Sequence, residues 1–211
     1  MKRVGIFGTS GMAREAGDIA HDLGLIPLYV ARDLSELQAW SFPGDIIMES
    51  DVHRYRDIAY VIGIGENKIR QRISEHYRDQ IAFCNLIHSS ATFGYRQRQC
   101  IEDHRGIIVC AGVRFTNSIK VGDFDIFNQN VTIAHDVTVG SFTHIAPGSI
   151  ISGNVEIGSN CWIGAGSVIN QGGADNKLMI GSNTTIGSGA VVIRSCDTNA
   201  VYAGVPAKRI K

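Results

Sequence analysis

The chain has no excess of either charge, since twenty lysines and arginines balance twenty aspartates and glutamates. That balance removes bulk electrostatic attraction to nucleic acid or to an anionic membrane as a mode of action. No apolar run approaches the ~20 residues of a membrane span. The opening Met1-Lys2-Arg3-Val4-Gly5 runs into a strand-like segment without the apolar stretch of a signal peptide. A cytoplasmic protein without membrane insertion or a nucleic-acid partner is expected. The five cysteines, Cys84, Cys100, Cys110, Cys161 and Cys196, form no C-x-x-C pair, and their wide spacing suits reduced structural thiols. Neither they nor the histidines cluster at ligand spacings, so no metal is expected.

Glycine, by contrast, is abundant at 24 of 211 residues, against the ~7% of an average chain. Much of the excess falls after residue 105, where a six-residue period appears. From Val109 the step meets Phe115, Val121, Phe127, Ile133, Val139, Ile145, Ile151, Ile157, Ile163 and Ile169; after a longer segment it resumes at Ile180, Ile186 and Val192. Two residues ahead stands a small or apolar side chain, as in Val131, Val155, Cys161 and Ala190, and directly after stands glycine in Gly122, Gly140, Gly158, Gly164, Gly181 and Gly187. Aliphatic residues stacked every six positions signal a parallel β-helix, with glycine or asparagine taking the positive φ of its corners. The period alone leaves the handedness open.

The first half reads as a small α/β unit. Val4 to Phe7 forms a strand, Gly8-Thr9-Ser10-Gly11 a turn, and Ala13, Ala16, Ile19, Ala20 and Leu23 one face of a helix. Unpaired N–H groups at such a helix start can hold a diphosphate without basic side chains. Ile26 to Ala31 makes a second strand with Asp33 at its end, in reach of a ribose or base. Ile58 to Ile64, a helix from Lys68 to about Tyr77, and Ile81 to Leu86 complete a unit that suits a mononucleotide or nucleotide sugar better than a whole NAD. The division falls at 1–88 for this Rossmann-like domain and 89–211 for the solenoid.

Two histidines interrupt the repeat, His135 and His144, nine residues apart. In a coil of three hexads nine residues are half a turn, so the two project from different edges and could line one groove, particularly one shared with a neighbouring subunit. Asp136 directly follows His135 and could fix its tautomer, as a general base requires.

The sequence resembles the NeuD/PglD family of sugar acetyltransferases over nearly its whole length. The resemblance rests on Gly8-Thr9-Ser10-Gly11, Gly63-Ile64-Gly65-Glu66-Asn67-Lys68-Ile69-Arg70, Asn85-Leu86-Ile87-His88-Ser89-Ser90-Ala91, His135-Asp136, Ala146-Pro147-Gly148 through Gly153-Asn154-Val155, and Gly204-Val205-Pro206-Ala207-Lys208. It implies a left-handed β-helix, a homotrimer with active sites between subunits, and acetyl-CoA as co-substrate. It also implies that His135 is the general base and Asp136 its partner. Substrate contacts would fall at Ser10, Gly11, Met12, Asp33, Gly65 and Asn128, and acetyl-CoA contacts at His144, Gly153, Ala165 and Asn183. The implied reaction is acetylation of the C4 amine of a nucleotide-linked 4-amino-4,6-dideoxy sugar for surface polysaccharide or protein glycosylation. A UDP-linked bacillosamine-type sugar is favoured, with GDP-perosamine and dTDP-linked sugars as alternatives, because Arg32-Asp33 stands where bacillosamine-pathway members tend to carry two adjacent acids. Competing readings are O-acetylation of sialic acid, a non-catalytic sugar-nucleotide-binding solenoid and, from the first half alone, an NAD-dependent oxidoreductase. His88 reads as structural.

Overall fold

A computed structural model describes residues 2–173 and 175–211. Its first part is a five-stranded parallel sheet in the order β3-β2-β1-β4-β5, formed by β1 (Arg3–Phe7), β2 (Ile26–Ala31), β3 (Asp45–Met48), β4 (Ala59–Ile62) and β5 (Ala82–Phe83). The helices are α1 (Gly11–Asp22), α2 (Leu34–Ala39) and α3 (Asn67–Tyr77). Met12, Ala13, Ala16, Ile19 and Ala20 are the buried apolar stripe of α1, as the helical spacing requires. Gly8, at φ +111, turns the chain from β1 toward α1, in a backbone conformation that favours glycine.

The segment read as one closing strand, Ile81 to Leu86, is divided between two sheets. Ala82–Phe83 pairs with β4, the chain turns at Cys84 and Asn85, and Leu86–Ile87 pairs with Ile108–Val109 as the first rung of the solenoid. The division placed at residues 88 and 89 therefore falls within the first coil. Asn85 makes the turn possible, because its side-chain amide donates to the carbonyls of Ile101 and His104 while its oxygen accepts from the Ile107 N–H.

The solenoid has three sides. One sheet holds eight strands from Leu86–Ile87 to Lys208–Arg209, a second holds six from Thr92–Phe93 to Val191–Val192, and a third holds Thr138–Val139, Val155–Ile157 and Leu178–Ile180. Ile126 pairs with His144 and His144 with Trp162, so a regular coil takes eighteen residues. Every position of the six-residue step from Val109 to Val192 is at most 6% exposed. Each buried aliphatic side chain contributes roughly 1.5–3 kcal/mol, and the stack forms one continuous core.

The corners correct the reading of the glycines. Positive φ occurs three residues after the stacked aliphatic, at Asn130, Asp136, Phe142, Gly148, Asn154, Asn160, Gly166, Asn183 and Gly189. Gly122, Gly140, Gly158, Gly164, Gly181 and Gly187 are absent from the positive-φ positions. They are small for a different reason: a Cβ on Gly164 would lie 2.4 Å from the Ser188 nitrogen on the next coil.

Both ends of the stack depart from the regular coil. In the first coil, helix α4 (Gln97–Glu102) stands in place of a third strand, burying Ile101 in the solenoid core, with the Gln97 side-chain oxygen accepting from Ile119 N–H at 2.8 Å. At the other end Lys208–Arg209 turns back antiparallel on Val201–Ala203. The cysteines are unpaired, and burial pushes the Cys84, Cys161 and Cys196 thiols up to about 11 and that of Cys110 to about 12.

Candidate active site

His135 stands at a corner, two residues past the stacked Ile133, and is half exposed. Its Nδ1 lies 2.8 Å from Asp136 Oδ2. A carboxylate only accepts, so Nδ1 carries the proton and Nε2 is left with a free lone pair. The left-handed backbone of Asp136, φ 61, turns its side chain back beside the preceding ring. Gly153 lies under the imidazole: a Cβ there would come within 2.5 Å of both Cε1 and Nε2. Gly153, expected as an acetyl-CoA contact, thus also makes room for His135. The same groove is lined by Lys120, Thr138, Asn154, Gln171 and Lys177.

A second site lies at the C-terminal ends of β1 and β2, where parallel α/β sheets receive their ligands. This cleft of about 400 Å³ is floored by Phe7, Val30 and Ile64 and walled by Ile69, Arg72, Ile73 and His76 of α3. Gly8, Thr9 and Ser10 form its rim at the start of α1, where Ser10 makes no side-chain cap, so the first N–H groups of the helix meet no capping side chain from it. Nothing lies within 4 Å of a Cβ built on Gly11, which faces open space. Basic side chains do reach this cleft, in Arg32 and Arg72, contrary to the sequence reading of a cradle that needed none.

Asp33 does not line the cleft as its position suggested. It is the N-cap of α2, where Oδ1 accepts from Ser35 N, Ser35 Oγ and Glu36 N at 2.6–3.1 Å and Oδ2 accepts from Arg32. The Ser35 hydroxyl, the Glu36 amide and Arg32 hold its carboxyl well below the usual carboxylate range. A side chain engaged in a cap and an ion pair has little left for a ribose. Arg32, Glu36 and Glu49 line the cleft instead.

The third cluster is the seam between the two parts. His144 is 4% exposed, with Nδ1 3.2 Å from the Gly65 carbonyl, Nε2 3.3 Å from the Asn128 amide, and its ring 4.4 Å from that of Trp162. The carbonyl can only accept, so Nδ1–H donates and Nε2 accepts from Asn128. Burial holds this imidazole down at about 4, which makes it neutral at pH 7. Met12 touches the same Asn128. Met12, Gly65, Asn128 and His144 therefore meet in one place, but His144 is not on the His135 groove, and the single groove expected from the nine-residue spacing is not formed within one chain. Ala165 and Asn183 sit exposed at two other corners.

Arg70 fixes this seam. Fully buried, it donates from Nε to Phe124 O at 2.7 Å, from Nη1 to Ile64 O and Gly65 O, and from Nη2 to Asn67 Oδ1 and Phe142 O. Burial lowers its guanidinium to about 10, so it stays cationic at neutral pH. Asn67 Nδ2 donates across the seam to Cys161 O at 2.9 Å. Helix α3 thus lines the cleft with one face and grips the solenoid with its first turns. The sequence reading missed the cleft face, although Ile69, Arg72, Ile73 and His76 follow the i, i+3, i+4, i+7 pattern that could have revealed it. His88 is tied locally, its Nδ1 2.9 Å from Ser90 Oγ and 3.8 Å from Asp22.

Among the described residues, no group of three His, Cys, Asp or Glu side chains is placed to hold a metal ion, and no helix is long and apolar enough to cross a membrane.

Residues 3–77 match the PglD N-terminal domain family and residues 136–171 the bacterial transferase hexapeptide family. No curated protein sequence matches the chain. Among solved structures, it is similar to PerB from Caulobacter crescentus in complex with CoA and GDP-perosamine, at 25% identity and TM-score 0.86, over 100% of this chain and 98% of that one. The acetyltransferase domain of PglB from Neisseria gonorrhoeae FA1090 in complex with acetyl coenzyme A shares the fold at 24% identity and TM-score 0.86, over 99% of each chain. WeeI from Acinetobacter baumannii AYE does so at 22% identity and TM-score 0.86, over 100% of each. The solenoid is accordingly the left-handed parallel β-helix of hexapeptide proteins.

Proposed function

We propose that this chain, a member of the NeuD/PglD-like hexapeptide sugar acyltransferases, acetylates the C4 amine of a nucleotide-linked 4-amino-4,6-dideoxy sugar. Its acyl donor is acetyl-CoA. The observation that carries the reading is the His135–Asp136 pair on a corner of the hexapeptide solenoid, in a chain that also presents an arginine-bearing cleft on its α/β part. The uncapped start of α1 at Ser10 and Gly11 suits a diphosphate, which favours a nucleotide-linked acceptor over free sialic acid, which has none.

In this reading Nε2 of His135 takes a proton from the amine as its nitrogen attacks the thioester carbonyl. The tetrahedral intermediate then collapses, the C–S bond breaks, and the departing sulfur is protonated as CoA thiol. Asp136 holds the imidazole in the Nδ1–H form and supports the imidazolium. The nucleotide lies in the cleft beside Ser10 and Gly11, with Arg32 and Arg72 near its phosphates. The cleft and the His135 groove share no lining residue. A second copy brings them together in our reading, and a homotrimer with sites between subunits also reconciles the scattered positions of His144, Gly153, Ala165 and Asn183.

A thiol-release assay with acetyl-CoA and UDP-, GDP- and dTDP-linked 4-amino-4,6-dideoxy sugars, beside free sialic acid, tests this and identifies the carrier. His135→Ala should lower turnover about 10²–10⁴-fold without loss of fold. Turnover with sialic acid alone, or full activity without His135, would overturn the proposal.

A further inference from the structure

The cleft on the α/β half has a direction. Gly8 packs against Gly63 and Ile64 just ahead of α3, so the rim that suits phosphates stands near the start of that helix. From Ile69 to His76 the cleft face of α3 then leads away by about 10 Å. Glu49 and His76 meet at the far end, where both also border an adjoining hollow of about 160 Å³. Apolar side chains between the two ends suit the faces of a base, whose polar edge is left for the groups at the end.

Two carboxylates line the cleft, and one is already engaged. Glu36 accepts from Arg32 N at 2.9 Å through Oε2, and its Oε1 lies 3.6 Å from Arg32 Nη2. Glu49 is held in place but left with capacity. Its Oε1 accepts from the Tyr77 hydroxyl at 3.3 Å, and its Oε2 accepts no hydrogen bond among the described residues. Burial and the charge of Glu49 push that hydroxyl up to about 12, so it stays a donor at neutral pH.

A carboxylate only accepts, so it selects a base that presents two donors side by side. Guanine alone among the common bases does so, with N1–H next to the N2 amine. Uracil and thymine carry one N–H between two carbonyl oxygens, and a carboxylate set against that edge meets a second acceptor. Adenine and cytosine place a ring acceptor beside their amine.

We propose that Glu49 reads the base of the acceptor's nucleotide, accepting from N1–H and the N2 amine of guanine, and that the carrier is therefore a guanosine diphosphate. The assignment rests on the nucleotide-linked acceptor of the acetyl-transfer reading above and adds its base. The phosphates stay beside Ser10 and Gly11, and the hollow beyond His76 leaves room for the second ring of the purine.

Titration calorimetry of the whole protein with GDP, IDP, UDP and dTDP tests this. IDP differs from GDP only in lacking the N2 amine. Because that amine bonds to a charged group, GDP should bind about tenfold or more tighter than IDP, UDP or dTDP. Glu49→Gln, which keeps an acceptor for Tyr77, should weaken GDP about tenfold while UDP changes by less than about twofold. Equal affinity for GDP and IDP, tighter binding of UDP or dTDP, or a variant that weakens all four ligands alike, as a contact to the ribose would, each overturns the assignment and leaves the acetyl-transfer reading in place. If none of the four binds wild type, the nucleotide-linked acceptor falls with it.

Discussion

The two halves of this molecule carry their instructions differently. In the solenoid a residue's environment follows from its number: the aliphatic on each sixth position is buried, and the residue three further on takes the corner. In the α/β half the environment depends on which distant segments converge. Asp33 stands at the place in sequence where a nucleotide contact is expected, yet α2 begins just after it and claims its carboxylate as a cap. A period is a local rule repeated, whereas a crossover fold is a set of long-range agreements, so the first can be read a few residues at a time and the second cannot.

Cutting the link between the halves should have the largest effect. Arg70→Ala removes five hydrogen bonds and leaves the buried Phe124 carbonyl and the half-buried carbonyls of Ile64 and Phe142 without the arginine donor, the Gly65 carbonyl keeping that of His144. A loss of about 4 kcal/mol is expected, from unpaired buried groups at ~1–3 kcal/mol each with partial relaxation. Calorimetry should show the single transition splitting in two, with the α/β half melting first; one unsplit transition at the wild-type temperature would mean that the halves do not depend on this seam.

The His144 environment predicts a pH dependence. Its folded-state value of about 4 lies below the ordinary 6.5, so between those limits the unfolded chain binds a proton that the native chain does not. Stability should therefore fall as pH drops from about 6.5 to 4, by about 3 kcal/mol, and level off below. In His144→Asn, denaturant melts across this range should lack that component; an identical slope would place its origin elsewhere.

The two kinds of solenoid glycine sharpen the contrast within the repeat. Gly164→Ala drives a methyl into the next coil and should cost about 3 kcal/mol, whereas Gly166→Ala, at φ +64 with nothing within 4 Å, should cost about 1 kcal/mol for backbone strain alone. Equal losses in chemical denaturation would refute the distinction.

The smallest change expected is at Asp33. Its replacement by alanine should lower stability slightly, through loss of a helix cap, and leave nucleotide affinity measured by titration calorimetry unaltered. A large loss of affinity would restore Asp33 to the binding site.

These contrasts also explain what could be read in advance. The strands Val4–Phe7 and Ile26–Ala31, the helix ending at Tyr77 and the whole hexad ladder follow from local pattern, as does the His135–Asp136 pair, adjacent in sequence. The segment from 34 to 57 gave no clear period, so α2, β3 and Glu49 went unread. The split of Ile81 to Leu86 was hidden because apolar strands of either sheet look alike, and only the turn at Asn85 separates them. Lys177 lies 41 residues from the Asp136 carbonyl that it meets; nothing in the spacing of the two announces this.

The irregular ends of the stack bear on how copies can meet. A ladder of parallel rungs is in principle a template that another copy could lengthen, because each terminal rung offers unpaired backbone groups. Here a helix takes the place of the third strand in the first coil, and the other end finishes in a reversed, cationic strand. The reversed strand interrupts parallel addition on the eight-stranded sheet at that end, while along one side of the solenoid Ile150, Val168 and Val191 stand in register on successive coils.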